Sequence, residues 1–318
     1  MIFQIITFIV SVFALAWLSS RLVSTLVGIA KQLHWREFII AFFVMAFAAS
    51  LPNLFVDINA ALSGMPEVAF GDIVGGNLVD LTLVLAIAVL FGSKALPAES
   101  EMVQKSAIFT ALIAILPITL IWDGKLGRGD GIILLLTFGL YTWWLFSKED
   151  RFKKTYRGRP QSPSKNIFTL IINFTKIIIF LGLLLGCSYF IVNSAKLFSA
   201  QLGLSLSLVG ILIIGLGNCF PEIYFSIISA RKGENWLILG DLMGAVIVCA
   251  TLVLGIIALF FPFEIVDLSP FLITRIFTII AALIFLLFIR TGRKITKYEG
   301  LLFLLIYVLF ILSQVFIK

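Results

Sequence analysis

The stretch that decides the fold is "ASLPNLFVDINAALSGMPEVAFGDIVGGNLVDLTLVL", residues 49–85, because the chain contains it twice. The second copy, "NCFPEIYFSIISARKGENWLILGDLMGAVIVCATLVL", residues 218–254, aligns with the first without a gap. Pro52 meets Pro221, Gly64 meets Gly233, Gly71-Asp72 meets Gly240-Asp241, Gly75 meets Gly244, and "TLVL" at 82–85 returns at 251–254. About a third of the paired positions are identical. Two apolar segments share leucines by chance, but Pro, Gly and Asp held in register mark an internal duplication.

The composition says where such a repeat resides. Of 318 residues, 61% are hydrophobic and 13% charged, and the mean hydropathy is +1.12. A soluble domain carries about 25% charged residues, so this chain cannot cover its surface with polar groups, and a water-soluble enzyme is excluded. Three cysteines, Cys187, Cys219 and Cys249, all in apolar stretches, make no disulfide framework. The net charge of +7 comes from short basic clusters between apolar runs, not from a basic stripe interleaved with aromatics, which argues against nucleic acid as a partner. A bilayer core of about 30 Å needs roughly 20 apolar residues per helix. Ten such segments are expected: 3–30, 38–62, 67–91, 105–121, 130–146, 167–193, 206–230, 235–261, 271–289 and 300–317. The first has no basic leader and is too long for a signal-peptide core, so it reads as a mature helix.

One long polar stretch, "SKEDRFKKTYRGRPQSPSK" at 147–165, holds seven Lys/Arg against two acids and reads as a cytoplasmic linker. Placing it inside also puts Lys31 and Arg36, Lys94 and Lys105, Arg231 and Lys232, and Arg290, Arg293, Lys294 and Lys297 inside. Both termini then lie outside, as does the acidic loop "PFEIVDLSP". His34 reads as an inside-loop residue beside Trp35 and Arg36. The expected protein is an all-α, multi-pass cell-membrane protein of two five-helix repeats. The first is 1–146, with its duplicated region at 46–85; after the linker at 147–165 comes the second, 166–318, duplicated at 215–254.

Five spans separate the duplicated segments, an odd number, so the two copies sit upside down to each other. Inverted repeats meeting at the bilayer midplane are the architecture of secondary transporters. Pro52 and Pro221 are expected to break their helices at membrane depth, freeing carbonyls that can coordinate cations. Intramembrane carboxylates mark ion paths by default, and Asp57, Asp72, Asp80, Glu222 and Asp241 are the candidates. Asn53 and Glu222 each directly follow the repeat Pro; Asp57 lies one turn beyond Asn53; Asp80 pairs in the alignment with Cys249. Asp72 and Asp241 read equally as ion-relay groups or as carboxylates at helix ends, near backbone N–H groups. Hard oxygen ligands without a His or Cys cluster suit Na⁺, Ca²⁺ or protons, not zinc or copper.

The Pro-Glu of "NCFPEIYFSIISARKG", the "LPN" of "ASLPNLFVDINAALSG" and the "GDIVGGNLVD" and "GDLMGAVIVC" blocks resemble the two alpha repeats of the calcium/cation antiporter superfamily, sodium/calcium exchanger branch. The resemblance implies a calcium antiporter with a four-site diamond of side chains, transporting Ca²⁺ and Na⁺ with no resident cofactor. The family's first-repeat Glu falls on Asn53, a departure, and its second-repeat Glu on Glu222, a match. The lower Asn or Asp of the first repeat falls on Asp80, and its partner on Cys249, a second departure. The family's Thr-Ser pairs fall on Ala49-Ser50 and Asn218-Cys219, and its Gly-Ser-Asn serines on Gly76 and Ala245. The resemblance thus implies ligation by Glu222, Asp80, Asn53 and Ser50, with Asp57, Asn218 and Cys249 as further candidates. Two central acids can neutralise one Ca²⁺ or two Na⁺, so altered stoichiometry or selectivity is expected. Ca²⁺/H⁺ exchange is the alternative, because a buried carboxylate can carry a proton.

Three other readings compete. "FGD" at 70–72 and "LGD" at 239–241 touch the Gly-Asp of intramembrane aspartyl proteases, but the fuller motif's glycine and its Tyr-Asp partner are missing. A channel, and a relative that binds an ion without transporting it, share the antiporter's site residues. The inverted halves make one chain a sufficient transport unit, working as a monomer among inorganic cations and lipid.

Overall fold

The structure is a computed structural model that describes residues 2–32, 45–92, 95–147, 163–233, 235–265 and 267–316. The start of the second expected span, His34, Lys94 and most of the basic linker lie outside the described residues. Among the described residues, nine helices are long and apolar enough to cross a bilayer, and Phe47–Leu62 is a shorter apolar helix. The ten expected spans fall on Ile2–Gln32, Met45–Leu62, Pro66–Phe91, Glu101–Leu120, Arg128–Phe146, Pro163–Leu202, Leu206–Arg231, 235–260, Ser269–Gly292 and Lys297–Phe316.

The third and eighth spans form the centre, with 83% of their apolar windows buried, against 28% for the first and sixth, which pair at the periphery. The difference follows from side-chain size. The third span carries Gly71, Gly75 and Gly76, so the seventh span, with Gly210 and Gly215, approaches it backbone to backbone. The first and sixth spans instead present large apolar groups outward, among them Phe3, Phe13, Trp17, Phe174 and Ile178.

Duplication is visible in the backbone. A π-helical turn interrupts the third span at Asp80–Val84 and the eighth at Val248–Val253, the same place in the repeat. Thr82 donates to the Leu78 carbonyl and Thr251 to the Ile247 carbonyl, both at 2.5 Å. Two short strand pairs join the halves: β1 (Leu96–Pro97) with β4 (Lys294–Ile295), and β2 (Lys125–Leu126) with β3 (Phe263–Glu264). Each pair ties a first-half loop to the second-half loop that the charge pattern puts on the same side. Lys125 and Glu264 form an ion pair of 2.5 Å across β2 and β3. The Lys125 ammonium is held above its ordinary pKa by that carboxylate.

Three local expectations are corrected. The second span is not broken at Pro52: Met45–Leu62 is one helix with Pro52 inside it. The seventh span does break, since a helix ends at Asn218, Cys219 leaves helical geometry at φ −84°, ψ 1°, and Phe220–Lys232 starts anew with Pro221 in its first turn. Helix propensity explains the asymmetry. Gly215 and Gly217 precede Pro221 where Ala46 and Ala48 precede Pro52, and each Gly costs a helix about 1 kcal/mol relative to Ala. Second, the sixth helix runs beyond residue 193 to Leu202, because Val192, Ala195 and Phe198 continue its buried face until Gly203 turns at φ +63°. Third, Asp72 and Asp241 are no helix-end carboxylates: each is the seventh residue of its helix, Pro66–Val79 or Asn235–Ile247.

Gly124 caps its turn at φ +81°, and its repeat mate Arg293 is the one non-Gly residue at positive φ among the described residues, at +48°. The left-handed region costs an L-residue about 1–2 kcal/mol. Arg293→Gly should therefore raise the midpoint of thermal unfolding by about 1–3 °C, read in detergent by fluorescence. A Cβ at Gly210 would lie 2.5 Å from the Val68 carbonyl oxygen, whereas Gly139 has open space. Gly210→Ala should destabilise by about 1–3 kcal/mol in the same assay, while Gly139→Ala should not.

Candidate cation site

The polar residues singled out in the two repeats meet in the middle of the helix bundle. Ser50, Asp57, Asp72, Asp80, Asn218, Glu222, Asp241 and Cys249 are all buried, and Asn53 is half-buried. They come from the second, third, seventh and eighth spans. Asp80 opens the π turn of the third span and Cys249 is the second residue of the one in the eighth, a distortion that recurs at functional positions. Glu222 sits in the first turn of the helix restarted at Pro221, where free N–H groups favour an anion.

Contacts run between repeats, not within them. Asn53 Nδ2 lies 3.4 Å from Cys249 Sγ and donates to it, and Ser50 also bonds Cys249. In the equivalent quadrant Glu222 faces Asp80 electrostatically, and the Cys219 thiol bonds Asp80. One half of the central arrangement is thus neutral and the other carries both acids. Neither oxygen of Glu222 nor Oδ1 of Asp80 has a hydrogen-bond partner among the described residues. Cys219 Sγ also lies 3.5 Å from the Gly76 carbonyl.

A second acidic pair lies beside the first. The Asp57 and Asp72 carboxyls touch, and both Asp57 oxygens lack a donor among the described residues. Asn218 Nδ2 donates to Asp72 Oδ2 at 2.5 Å, leaving its own Oδ1 free. Asp241, the repeat mate of Asp72, interacts electrostatically with Asp80 and Glu222. Its counterpart to Asn218 is Ala49, which can donate nothing. Among the described residues, no group of three or more His, Cys, Asp and Glu side chains could hold a metal ion. Cation ligation here needs Asn and Ser oxygens, backbone carbonyls or water to complete it.

Ser226 was not singled out in sequence, yet it is fully buried and its hydroxyl has no hydrogen-bond partner among the described residues. The repeat alignment could have found it, because Ser226 stands opposite Asp57. Cations within the apolar spans, among them Arg21, Lys176, Lys196 and Arg275, were passed over as well. The Arg275 guanidinium stacks over the Trp122 ring at 4.8 Å.

Removing the donor to Asp72 isolates a buried carboxyl. Asn218→Leu should lower stability by about 1–3 kcal/mol, measured by thermal unfolding.

The chain is similar to known proteins along nearly its whole length. A family described as sodium/calcium exchanger protein matches residues 3–147 and 173–316. The sodium/calcium exchanger MaX1 of Methanosarcina acetivorans is 25% identical, over 91% of this chain and 92% of its own. The putative antiporter CaxA of Alkalimonas amylolytica is 25% identical, over 94% and 95%. The inner membrane protein YrbG of Escherichia coli is 26% identical, over 82% and 81%. Among solved structures, the sodium-calcium exchanger NCX_Mj, soaked with 2.5 mM Na⁺ and 10 mM Sr²⁺, shares the fold with a TM-score of 0.69 at 22% identity, over 98% of this chain and 99% of its own. With the family matched along both halves, this chain belongs to the sodium/calcium exchanger family.

Proposed function

We propose that this protein is a secondary active antiporter exchanging Na⁺ for Ca²⁺ across the cell membrane by alternating access at the site between its repeats. One observation carries the reading: Asp80 of the first repeat and Glu222 of the second are both buried and interact electrostatically, and Glu222 has no hydrogen-bond partner among the described residues. Two such carboxylates in hydrocarbon are tolerated when a cation or a proton neutralises them, which suits a site that binds and releases cations.

In this reading Glu222 and Asp80 are the charged ligands, and Asn53 and Ser50 supply neutral oxygens. Asn218 adds its free Oδ1. Ca²⁺ takes six to eight oxygens, so carbonyls freed at the Pro221 break and water complete the shell. Cys249 brings a soft sulfur that binds Na⁺ and Ca²⁺ poorly, which weakens its quadrant. Asp57 with Asp72 forms the second negative locus, and Asp72 and Asp241 relay ions towards the centre. The peripheral first and sixth spans slide against the remaining helices, and the halves 1–146 and 166–318 act as inverted units about the linker at 147–165. The basic loops support a cytoplasmic linker with both termini outside, and one chain suffices for transport.

Coupling to protons is the second reading. It is favoured by the Asp57–Asp72 contact, in which two carboxyls lie together without a donor to Asp57 among the described residues. Such a pair tolerates burial by sharing a proton or a cation.

Ca²⁺ flux into proteoliposomes tests the proposal. A Na⁺ gradient should drive uptake, and Glu222→Gln or Asp80→Asn should reduce it at least about tenfold, the loss of one charged ligand from a two-acid site being worth more than 1.4 kcal/mol. If only a proton gradient drives uptake, the second reading replaces the first. If neither gradient does and Glu222→Gln changes nothing, the antiporter reading is overturned.

A further inference from the structure

Away from the repeats, a groove of about 490 Å³ opens between the first and sixth spans. Trp17, Arg21 and Gly28 line it from one helix, and Asn173, Lys176 and Phe180 from the other. Two cations therefore converge on one opening. Neither Arg21 nor Lys176 has an ion pair among the described residues, and no acid lines the groove. Both lie inside the apolar windows Phe3–Leu26 and Ile171–Leu202, on helices that otherwise turn Phe13, Phe174 and Ile178 outward. Two cations lining one opening with no acid beside them make it attractive to an anion.

The form of the groove selects the anion. The Arg21 guanidinium stands 5.4 Å from the centre of the Trp17 ring, so its carbon face is covered and its N–H edges remain for a phosphate. Trp17 and Phe180 give the same opening an apolar wall, and Gly28 leaves one end without a side chain. A cationic rim over an aromatic wall, open towards lipid, matches a molecule with an anionic head and a hydrocarbon tail.

We propose that this groove is a binding site for an anionic phospholipid, its headgroup phosphate held by Arg21 and Lys176 and its acyl chain lying along Trp17 and Phe180. The site is separate from the cation site and independent of the antiport reading.

The full chain, purified in neutral detergent, is incubated with phosphatidylglycerol, phosphatidylcholine or inorganic phosphate. Retained lipid is counted by native mass spectrometry, and thermal unfolding is followed in parallel. The wild type should retain one phosphatidylglycerol and be stabilised by it, with phosphatidylcholine giving neither effect. A basic residue near the membrane surface contributes about a fivefold gain in affinity for an anionic lipid, so Arg21→Gln or Lys176→Gln should each weaken retention about fivefold and the double variant about 30-fold. The charge-conserving pair Arg21→Lys with Lys176→Arg should keep it, separating loss of charge from damage to the fold. Equal retention of the two lipids, or undiminished phosphatidylglycerol on the double variant, overturns the proposal. Inorganic phosphate that stabilises as well as phosphatidylglycerol also overturns it, in favour of a free-anion site.

Discussion

Burying carboxylates in a hydrocarbon environment is the constraint around which this structure is organised. A charge at the centre of a bilayer costs at least about 2.5–3.5 kcal/mol on insertion scales, and this chain buries Asp57, Asp72, Asp80, Glu222 and Asp241 together. The cost is contained by three devices. The acids come from different spans and meet only after folding. Amide and thiol donors, Asn218 to Asp72 and Cys219 to Asp80, face part of them. The carboxylate oxygens left over are, in the proposed function, the ones that a transported cation faces.

Close packing is what allows those devices to sit at one depth. Glycines on the third and seventh spans let two backbones touch, and π turns at equivalent points of the third and eighth spans turn Asp80 and Cys249 to the centre. The strand pairs β1·β4 and β2·β3 then tie the halves at both ends. The buried centre contrasts with the first and sixth spans, whose large apolar side chains face outward. In the proposed antiport, the peripheral pair is the part that shifts around the packed site.

The two halves have kept the fold while diverging in charge. Where one quadrant pairs Glu222 with Asp80, the other pairs Asn53 with Cys249. Asp72 has Asn218 as its donor, while Asp241 has Ala49 in the equivalent place. Pseudo-symmetry of backbone with asymmetry of ligands gives one side of the site its charge and the other its neutrality, which bears directly on how many cations the centre can neutralise.

Much of this was legible in the amino-acid order alone. Ten apolar stretches gave the spans, because length and hydropathy are local properties that a bilayer reads directly. The gapless repeat gave the inversion, because an odd number of crossings reverses a segment whatever its packing, and it matched Asn53 with Glu222 and Asp80 with Cys249; that the four share one site was implied only by the resemblance to the antiporter superfamily. That Pro52 leaves its helix whole while Pro221 breaks its own was also written in the order, in Ala46 and Ala48 before the one and Gly215 and Gly217 before the other, although the equal spacing of the two prolines hid it. Tertiary structure alone decided that Asp57 touches Asp72, that Asn218 donates to Asp72, and that Arg21 and Lys176 share a groove. These contacts join residues up to 155 positions apart. Which side chains meet across so long a separation is set by helix rotation and close approach, and neither periodicity nor composition encodes those.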